Sequence, residues 1–375
     1  MPFFRPGVAL AVLAAAGPMV SLPSAQAAPG PQVLQVVAEF PRFQPTGVAV
    51  SKDGRVFLNF PHWDEFHALS VAELLPDGKR KPYPLEWDQD GPASATAGSP
   101  SSNAFYCVQS VVCDDQDTLW IVDSGSPGMK GVVGGQAKLV AVDLATNKAR
   151  KVIVFNNTAA PTQSYLNDVR VDTGRKVAYL TDSGLGALLV VDLEKGDVRR
   201  LLESRPELHA DPGFALTVLG KALLGPDGKP PQIHSDGIEL SPDRNTLYFH
   251  ALCGKALYKI DTDSLRDPTL SDAQLGAKIV KVADTGPLDG LGADGAGRIY
   301  LSCLEDGAIR RVDPNAPGAP VETVAQDPRF FWPDSFAVTA DGTVWFTCSQ
   351  IENMPRFNGG RSTRTTPYQL FKMVP

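Results

Sequence analysis

The sequence has few basic residues relative to acidic ones, and they are not clustered. Its 375 residues include 35 Lys and Arg against 42 Asp and Glu, which gives a net charge of −7. It has no run rich in Lys or Arg and no pattern of a basic amphipathic helix. Proteins that hold nucleic acid or lie on a membrane surface normally carry such features. We therefore expect neither nucleic acid nor membrane as a partner, and we expect a small molecule instead.

Common catalytic and phosphate-binding motifs are also missing. The sequence contains no G-x-S-x-G, no P-loop and no EF-hand loop. Residues 290–295 match the dinucleotide pattern G-x-G-x-x-G, but the strand-like segment RIYLSC follows them. A dinucleotide site needs that loop to lead into a helix. We therefore interpret residues 290–295 as part of a hairpin.

The chain has only five cysteines, and none of them belongs to a C-x-x-C pair or stands beside a histidine cluster. The common zinc spacings are therefore absent. An odd number leaves at least one thiol unpaired within the chain. Cys107 and Cys113 are close enough in sequence to be considered as a disulfide. Cys253, Cys303 and Cys348 are equally compatible with a role as small packed side chains.

The N-terminus has the pattern of an export signal. Arg5 precedes the apolar run at 7–16, and Ala25-Gln26-Ala27 has the small-residue pattern of a cleavage site. This pattern predicts a signal peptide at 1–27, a single domain at 28–375 and a periplasmic or extracellular location. The alternative is an N-terminal membrane helix, but the apolar run is too short to span a bilayer, and Pro18 follows it.

The rest of the chain is repetitive. Six segments share a polar head, an apolar strand, a turn rich in Asp and Gly, and a second apolar strand. They are PTGVAVSKDGRVFLNF (45–60), QSVVCDDQDTLWIVD (109–123), LNDVRVDTGRKVAYLTD (166–182), SDGIELSPDRNTLYFHA (235–251), LDGLGADGAGRIYLSC (288–303) and PDSFAVTADGTVWFTC (333–348).

Third and fourth strand patterns follow most of these segments, as in KLVAVDL and KVIVF. Four strands in each of six units predict an all-β fold, the six-bladed β-propeller. The last unit lacks a fourth strand of its own. We expect VLQVVAEF (33–40) to supply it and so to close the ring.

The first strands of a propeller surround its central channel, so their polar heads should meet at one opening. These heads are Thr46, Ser110, Asn167-Asp168, Asp236, Asp289 and Asp334. The last three aspartates form a candidate site for Ca²⁺, Mg²⁺ or Mn²⁺. The alternative is that each Asp, followed by Gly or Ser, only forms a turn. We assign Asp53, Asp243 and Asp341, in the hairpins at the other strand ends, to turns.

Other residues near the heads are candidates for catalysis and binding. Histidine is scarce, with five in the chain, and His234 directly precedes the head that contains Asp236. It is therefore a candidate acid or base, and a structural loop histidine is the alternative. Phe330 and Trp332 precede Asp334, where they form either an aromatic wall for a ligand or a packed loop.

Several stretches resemble the yellow and major royal jelly protein family. They are CDDQDTLWIVDSG (113–125), SYLNDVRVD (164–172), SDGIELSPDRNTLYFHAL (235–252) and WPDSFAVTADGTVWFTCSQIENMPRF (332–357). The resemblance implies a six-bladed propeller and export, with functions that range from pigment chemistry to amine binding. It also implies that Cys113 lacks the cysteine partner found in insect members, which leaves Cys107 as the substitute.

A more distant similarity is to the gluconolactonase and regucalcin propellers, which are metal-dependent lactonases. It implies that Asn167 contacts substrate, with Asp168 beside it. It also implies that Asp236 and Asp289 bind a metal and that Asp289 acts as the base. Thr46 stands where those enzymes have a metal-binding Glu.

Two functions remain open. One is a metal-assisted enzyme for lactone hydrolysis or quinone-type tautomerisation. The other is a non-catalytic protein that binds an aromatic amine.

Overall fold

The computed structural model describes residues 1–3, 33–64, 67–90 and 103–375. The predicted signal peptide therefore lies outside the described residues, apart from its first three. Among the residues described, no helix is long and apolar enough to cross a membrane.

Six four-stranded antiparallel sheets make up the fold, and they confirm the predicted six-bladed propeller. The first blade consists of β2 (Val48–Val50), β3 (Val56–Asn59), β4 (Val71–Leu74) and β5 (Arg80–Pro82). The second consists of β6 (Val108–Cys113), β7 (Thr118–Asp123), β8 (Lys138–Asp143) and β9 (Lys148–Val154). The third consists of β10 (Leu166–Asp172), β11 (Val177–Asp182), β12 (Ala187–Asp192) and β13 (Val198–Leu201). The fourth blade consists of β16 (Ser235–Leu240), β17 (Thr246–Ala251), β18 (Ala256–Asp261) and β19 (Val280–Asp284). The fifth consists of β20 (Leu288–Ala293), β21 (Ile299–Cys303), β22 (Ala308–Val312) and β23 (Val321–Gln326).

The sixth blade confirms the predicted closure. It consists of β24 (Pro333–Val338), β25 (Val344–Cys348), β26 (Tyr368–Val374) and β1 (Val33–Phe40). β1 is the outer strand and pairs antiparallel with β26. The two ends of the described propeller therefore hold each other in one sheet.

Small additions interrupt the regular blades. A short hairpin, β14 (Thr217–Val218) and β15 (Lys221–Ala222), lies between the third and fourth blades. The helices α1 (Thr262–Arg266) and α2 (Asp272–Gly276) separate β18 from β19. Single 3₁₀ turns lie at Pro127–Met129, Pro206–Leu208, Ile351–Asn353 and Pro355–Phe357.

Burial explains why the second strands are apolar along their whole length. β7 and β11 are buried at every position, because neighbouring blades cover both faces of these strands. The outer strand β19, in contrast, is exposed or half-buried throughout. The core therefore lies between blades, around a ring in which the first strands β2, β6, β10, β16, β20 and β24 contact one another in turn.

The hairpin aspartates have the structural role predicted for them. Asp243 accepts hydrogen bonds from the Ser241 hydroxyl at 2.6 Å and from the Asn245 backbone N–H at 3.0 Å. Asp341 accepts the Thr343 backbone N–H at 3.0 Å. Such bonds stabilise a turn by replacing backbone partners that the turn cannot supply.

The disulfide that the sequence allowed between Cys107 and Cys113 is not formed. Both thiols are free, as are those of the other three cysteines. Cys107 directly precedes β6, and Cys113 ends it. An extended strand of that length separates its ends by roughly 20 Å, whereas bridged Cα atoms lie within about 7 Å of each other.

Candidate functional site

A cavity of about 870 Å³ opens at the end of the channel where the strand heads meet. Its volume is in the range of small-molecule sites, about 300–1,000 Å³. Three of the predicted heads line it: Asn167, Asp236 and Asp289. The rest of the wall combines neutral polar residues and Asp227 with aromatic, apolar and cationic side chains, among them Trp63, Tyr165, Trp332, Ile351, Phe357, Lys130, Lys229 and Arg356.

β-Bulges turn the heads away from the regular strand pattern. The register between first and second strand shifts between Ser235 and Ile238, between Leu288 and Leu291, and between Pro333 and Phe336. Each shift contains one of the three predicted metal-site aspartates. A bulge redirects a side chain and leaves backbone groups without ladder partners. Hydroxyls of the second strands replace those partners, as where Ser302 Oγ accepts the Gly290 N–H at 2.7 Å.

Close contact between first strands explains the glycine after two of these aspartates. A Cβ on Gly237 would lie 2.3 Å from the Asp289 carbonyl oxygen, and one on Gly290 would lie 2.2 Å from that of Asp334. No side chain fits at such distances. These glycines therefore allow the strands to approach the axis, and Asp-Gly is not a turn signal here.

Asp236 and Asp289 are neighbouring carboxyls on the cavity wall, and a proton on Asp236 lets the two hydrogen-bond. Burial, followed by the negative charge of Asp289, raises the pKa of Asp236 well above its ordinary value. Burial also raises the pKa of Asp289, to about 7. The bond between them favours the proton on Asp236 and the charge on Asp289. As pH rises through about 7, the pair therefore passes from two protons to one and then presents an acid beside a base.

Trp332 fixes the ionised member of the pair. Its Nε1–H donates to Asp289 Oδ2 at 2.6 Å, and this bond opposes the effect of burial on the Asp289 pKa. The side chain is 1% exposed and lines the cavity. The structure therefore places Trp332 where the sequence predicted a binding residue, and adds a contact with the candidate base.

Asp334 and Asp168 are buried outside the cavity lining but close enough to affect the pair. Burial and the charge of Asp289 raise the pKa of Asp334. Burial also raises the pKa of Asp168, against the opposing charge of Arg170. Asp334 Oδ2 and Asp236 Oδ1 are buried without a hydrogen-bond partner. Protons or a ligand therefore have to compensate these acids.

The three aspartates do not meet the spacing of a shared ion site. Among the described residues, the group of three metal-ligating side chains whose ligand atoms lie within 4.8 Å of one another is His62, His67 and Asp90. Asp236, Asp289 and Asp334 do not form such a group. The geometry supports a proton-sharing pair with a third acid nearby, and the predicted Ca²⁺, Mg²⁺ or Mn²⁺ site stays a prediction.

Two further predicted residues, in addition to Asp168 and Asp334, lie outside the cavity lining. His234 Nδ1 accepts the Ala210 backbone N–H at 3.0 Å, and its ring contacts His209. The described contacts of His234 do not include Asp236 or Asp289, and its role as an acid or base stays a prediction. Phe330 is fully buried between Phe346 and Phe371, with ring centroids 5.0 and 5.2 Å away. Phe330 is therefore a core residue of the sixth blade and not a ligand wall.

A polar network in the wall was not predicted. Trp63 Nε1 donates to the Tyr165 hydroxyl at 2.6 Å, and that hydroxyl donates to Gln109 Oε1 at 2.8 Å. Asn167 lies nearby, and its Nδ2 donates to Ser183 Oγ at 3.3 Å. Tyr165 stands two residues before the head at Asn167, as Trp332 does before Asp334, and this shared position is the sequence signal for it. This network holds one aromatic wall of the cavity in place.

A family model described as major royal jelly protein matches residues 106–363. That stretch is more than half of the chain and contains every predicted site residue. The chain belongs to the major royal jelly protein family. A curated member, major royal jelly protein 3 of Apis mellifera, is 26% identical over 166 residues, which cover 42% of this chain and 29% of that protein. The match thus spans under a third of that relative's length.

Solved propellers share the fold of this family member at low identity. A gluconolactonase from Xanthomonas campestris has a TM-score of 0.54 and 13% identity, with 92% of this chain and 89% of that one covered. A luciferin-regenerating enzyme has a TM-score of 0.53 and 10% identity, with 92% and 95% covered. Virginiamycin B lyase from Staphylococcus aureus has a TM-score of 0.51 and 13% identity, with 92% and 99% covered. These similarities show the propeller architecture.

Proposed function

We propose that this major royal jelly protein family member is an exported acid–base enzyme that tautomerises a quinone-like aromatic small molecule. The observation that carries the proposal is the placement of the neighbouring buried carboxyls Asp236 and Asp289 in one cavity wall, with Trp332 bonded to Asp289. The leader-like N-terminus supports export, and mass determination of exported protein that begins at Ala28 tests that part.

The proposed reaction only moves protons, so substrate and product have the same atomic composition. Asp289 takes a proton from one position of the substrate, and Asp236 gives its proton to another. The bond between the two carboxyls then returns the proton from Asp289 to Asp236 and restores the pair. A base works best when its pKa is near the working pH, and that of Asp289 is about 7.

The cavity wall supports this substrate class. Trp63, Tyr165 and Trp332 offer flat surfaces for an aromatic ring. Lys130, Lys229 and Arg356 line the same cavity and suit a carboxylate on the substrate. The basic groups would thus hold a carboxylate of the substrate while the acid pair acts on another part of the same molecule.

The second candidate is an aromatic-amine binder. The contact of Trp332 with ionised Asp289 favours it, because an ammonium group gains from both a carboxylate and a ring face. The shared proton weakens this candidate, since it removes one negative charge from the pair.

Turnover and binding assays on one purified preparation separate the two functions. We expect dopachrome to be converted at a rate that rises with pH through about 7, as Asp289 loses its proton. The rate should fall at higher pH, where Asp236 loses its own. Because the acid pair needs no metal for the proton transfers, a chelator should not abolish turnover.

A different result would favour another function. Serotonin-like amines that raise the melting temperature, without turnover of dopachrome or of a lactone panel, would establish the binder. Lactone hydrolysis that requires Ca²⁺, Mg²⁺ or Mn²⁺ would overturn both candidates in favour of a metal-assisted hydrolase.

A further inference from the structure

Two histidines and an aspartate meet in the first blade, outside the residues that line the cavity. His62 and His67 belong to the connection between β3 and β4, and Asp90 follows β5. One ligand atom from each lies within 4.8 Å of the other two. The histidines are almost fully buried, whereas the Asp90 side chain is half exposed.

Ser70 determines which nitrogen of His67 carries the proton. Ser70 Oγ donates its one hydrogen to the Gln89 carbonyl at 2.6 Å. The 2.9 Å contact between His67 Nε2 and Ser70 Oγ must therefore be a bond that the ring donates. Neutral His67 then has its lone pair on Nδ1. An imidazole N–H held by a fixed acceptor is the usual arrangement behind a metal-binding histidine.

His62 supplies the second unused nitrogen. Its Nδ1 is buried and has no hydrogen-bond partner. The nearest charged group is Asp90 Oδ1 at 3.8 Å, which is too far for a hydrogen bond. The His62 and His67 rings stack with centroids 4.5 Å apart and an angle of 9°. A buried nitrogen without a partner costs free energy, and a cation at this point would remove that cost.

We propose that His62, His67 and Asp90 bind a zinc-class transition-metal ion. Two imidazoles and one carboxylate suit Zn²⁺ and do not suit Ca²⁺ or Mg²⁺, which prefer oxygen ligands alone. Neighbouring ligand atoms of a tetrahedral zinc lie roughly 3.3 Å apart. A metal lies in the plane of each imidazole that binds it, so the His62 ring, which no hydrogen bond holds, has to turn out of its stack on His67 to share the ion. The half-exposed Asp90 has room to move toward the same point.

Bound metal would join two segments of the first blade, the β3–β4 connection and the stretch after β5, and brace the cavity. His62 adjoins Trp63, whose indole holds Tyr165 in the cavity wall. The His62 carbonyl also accepts the Gly128 backbone N–H at 2.7 Å. The ion would therefore act on the aromatic wall through the backbone, with no contact to Asp236 or Asp289. The inference does not depend on the proposed reaction.

Zinc titration of chelator-treated protein tests this site. We expect one equivalent of Zn²⁺ to bind by calorimetry and to raise the melting temperature, and Co²⁺ to give the visible absorption of a tetrahedral complex. His67→Gln and Asp90→Asn should each weaken zinc binding by about tenfold or more. Asp90→Asn changes an exposed side chain, so its effect does not depend on a folding defect.

The second histidine pair provides the matched control. His209 contacts His234 with ring centroids 4.8 Å apart, edge to face, and has no place in the proposed site. His209→Gln should bind zinc as the unaltered protein does. Absence of saturable zinc binding would overturn the proposal, and so would Asp90→Asn and His67→Gln proteins that bind zinc as tightly as the unaltered protein.

Discussion

Replacement of Asp289 by Asn is expected to lower kcat for dopachrome by about 10²- to 10⁴-fold, the usual contribution of a positioned base. The amide keeps the shape of the carboxyl and still accepts the bond from Trp332. It cannot take a proton from the substrate. Because Asp289 is buried with a raised pKa, the neutral amide should not destabilise the fold. Turnover measured beside a melting curve checks both expectations.

Asp341→Asn is the control for that variant. Asp341 is an exposed turn residue at the other end of the strands and is not part of the cavity lining. Its replacement should leave turnover unchanged. An Asp289→Asn protein that is folded and retains more than about a tenth of the original kcat would contradict the role assigned to Asp289.

Replacement of Lys138 by Met is expected to lower the free energy of unfolding by about 3–5 kcal/mol. Lys138 Nζ lies 3.0 Å from Asp123 Oδ2, and both side chains are almost completely buried. Asp123 also accepts the backbone N–H groups of Tyr106, Cys107 and Gly125 at 2.8–2.9 Å. Without the lysine, its charge is buried and unpaired. Urea unfolding monitored by fluorescence measures the loss.

An exposed ion pair provides the comparison. The side chains of Lys176 and Glu194 are 59% and 64% exposed, so Lys176→Met should change stability by less than about 1 kcal/mol. Similar unfolding midpoints for the two variants would show that Lys138 does not stabilise the fold in the way proposed. Asp123 ends β7, so the same comparison tests how the loop into the cavity is held.

The architecture was predictable because each blade repeats one pattern of apolar strands and turns. That repetition identified all six blades and the closing strand at 33–40, which the structure has as Val33–Phe40. It also identified Asp236 and Asp289, since both occupy the same position in their repeats. The bulges were not predictable from the sequence of one strand. Hydroxyls on the neighbouring strand accept the backbone N–H groups that a bulge leaves unpaired, and the apolar pattern of a single strand does not reveal those hydroxyls.

Side chains outside the repeat were harder to place. Phe330 and Trp332 stand two residues apart, yet one packs in the core and the other lines the cavity. The difference follows from backbone geometry, since Trp332 has a positive φ of 55° that single-sequence patterns do not reveal. Trp63 and Tyr165 come from loops of different blades, so only the folded ring brings them together.

An NMR titration of protein labelled with ¹³C at the aspartate carboxyls tests the shared-proton pair most directly. We expect one carboxyl to titrate near pH 7 and to disappear from the spectrum in Asp289→Asn. Trp332→Phe should move that midpoint upward, because it removes the bond that favours ionised Asp289. If every aspartate of the folded protein titrates below about pH 5, the two carboxyls do not share a proton and the account is wrong.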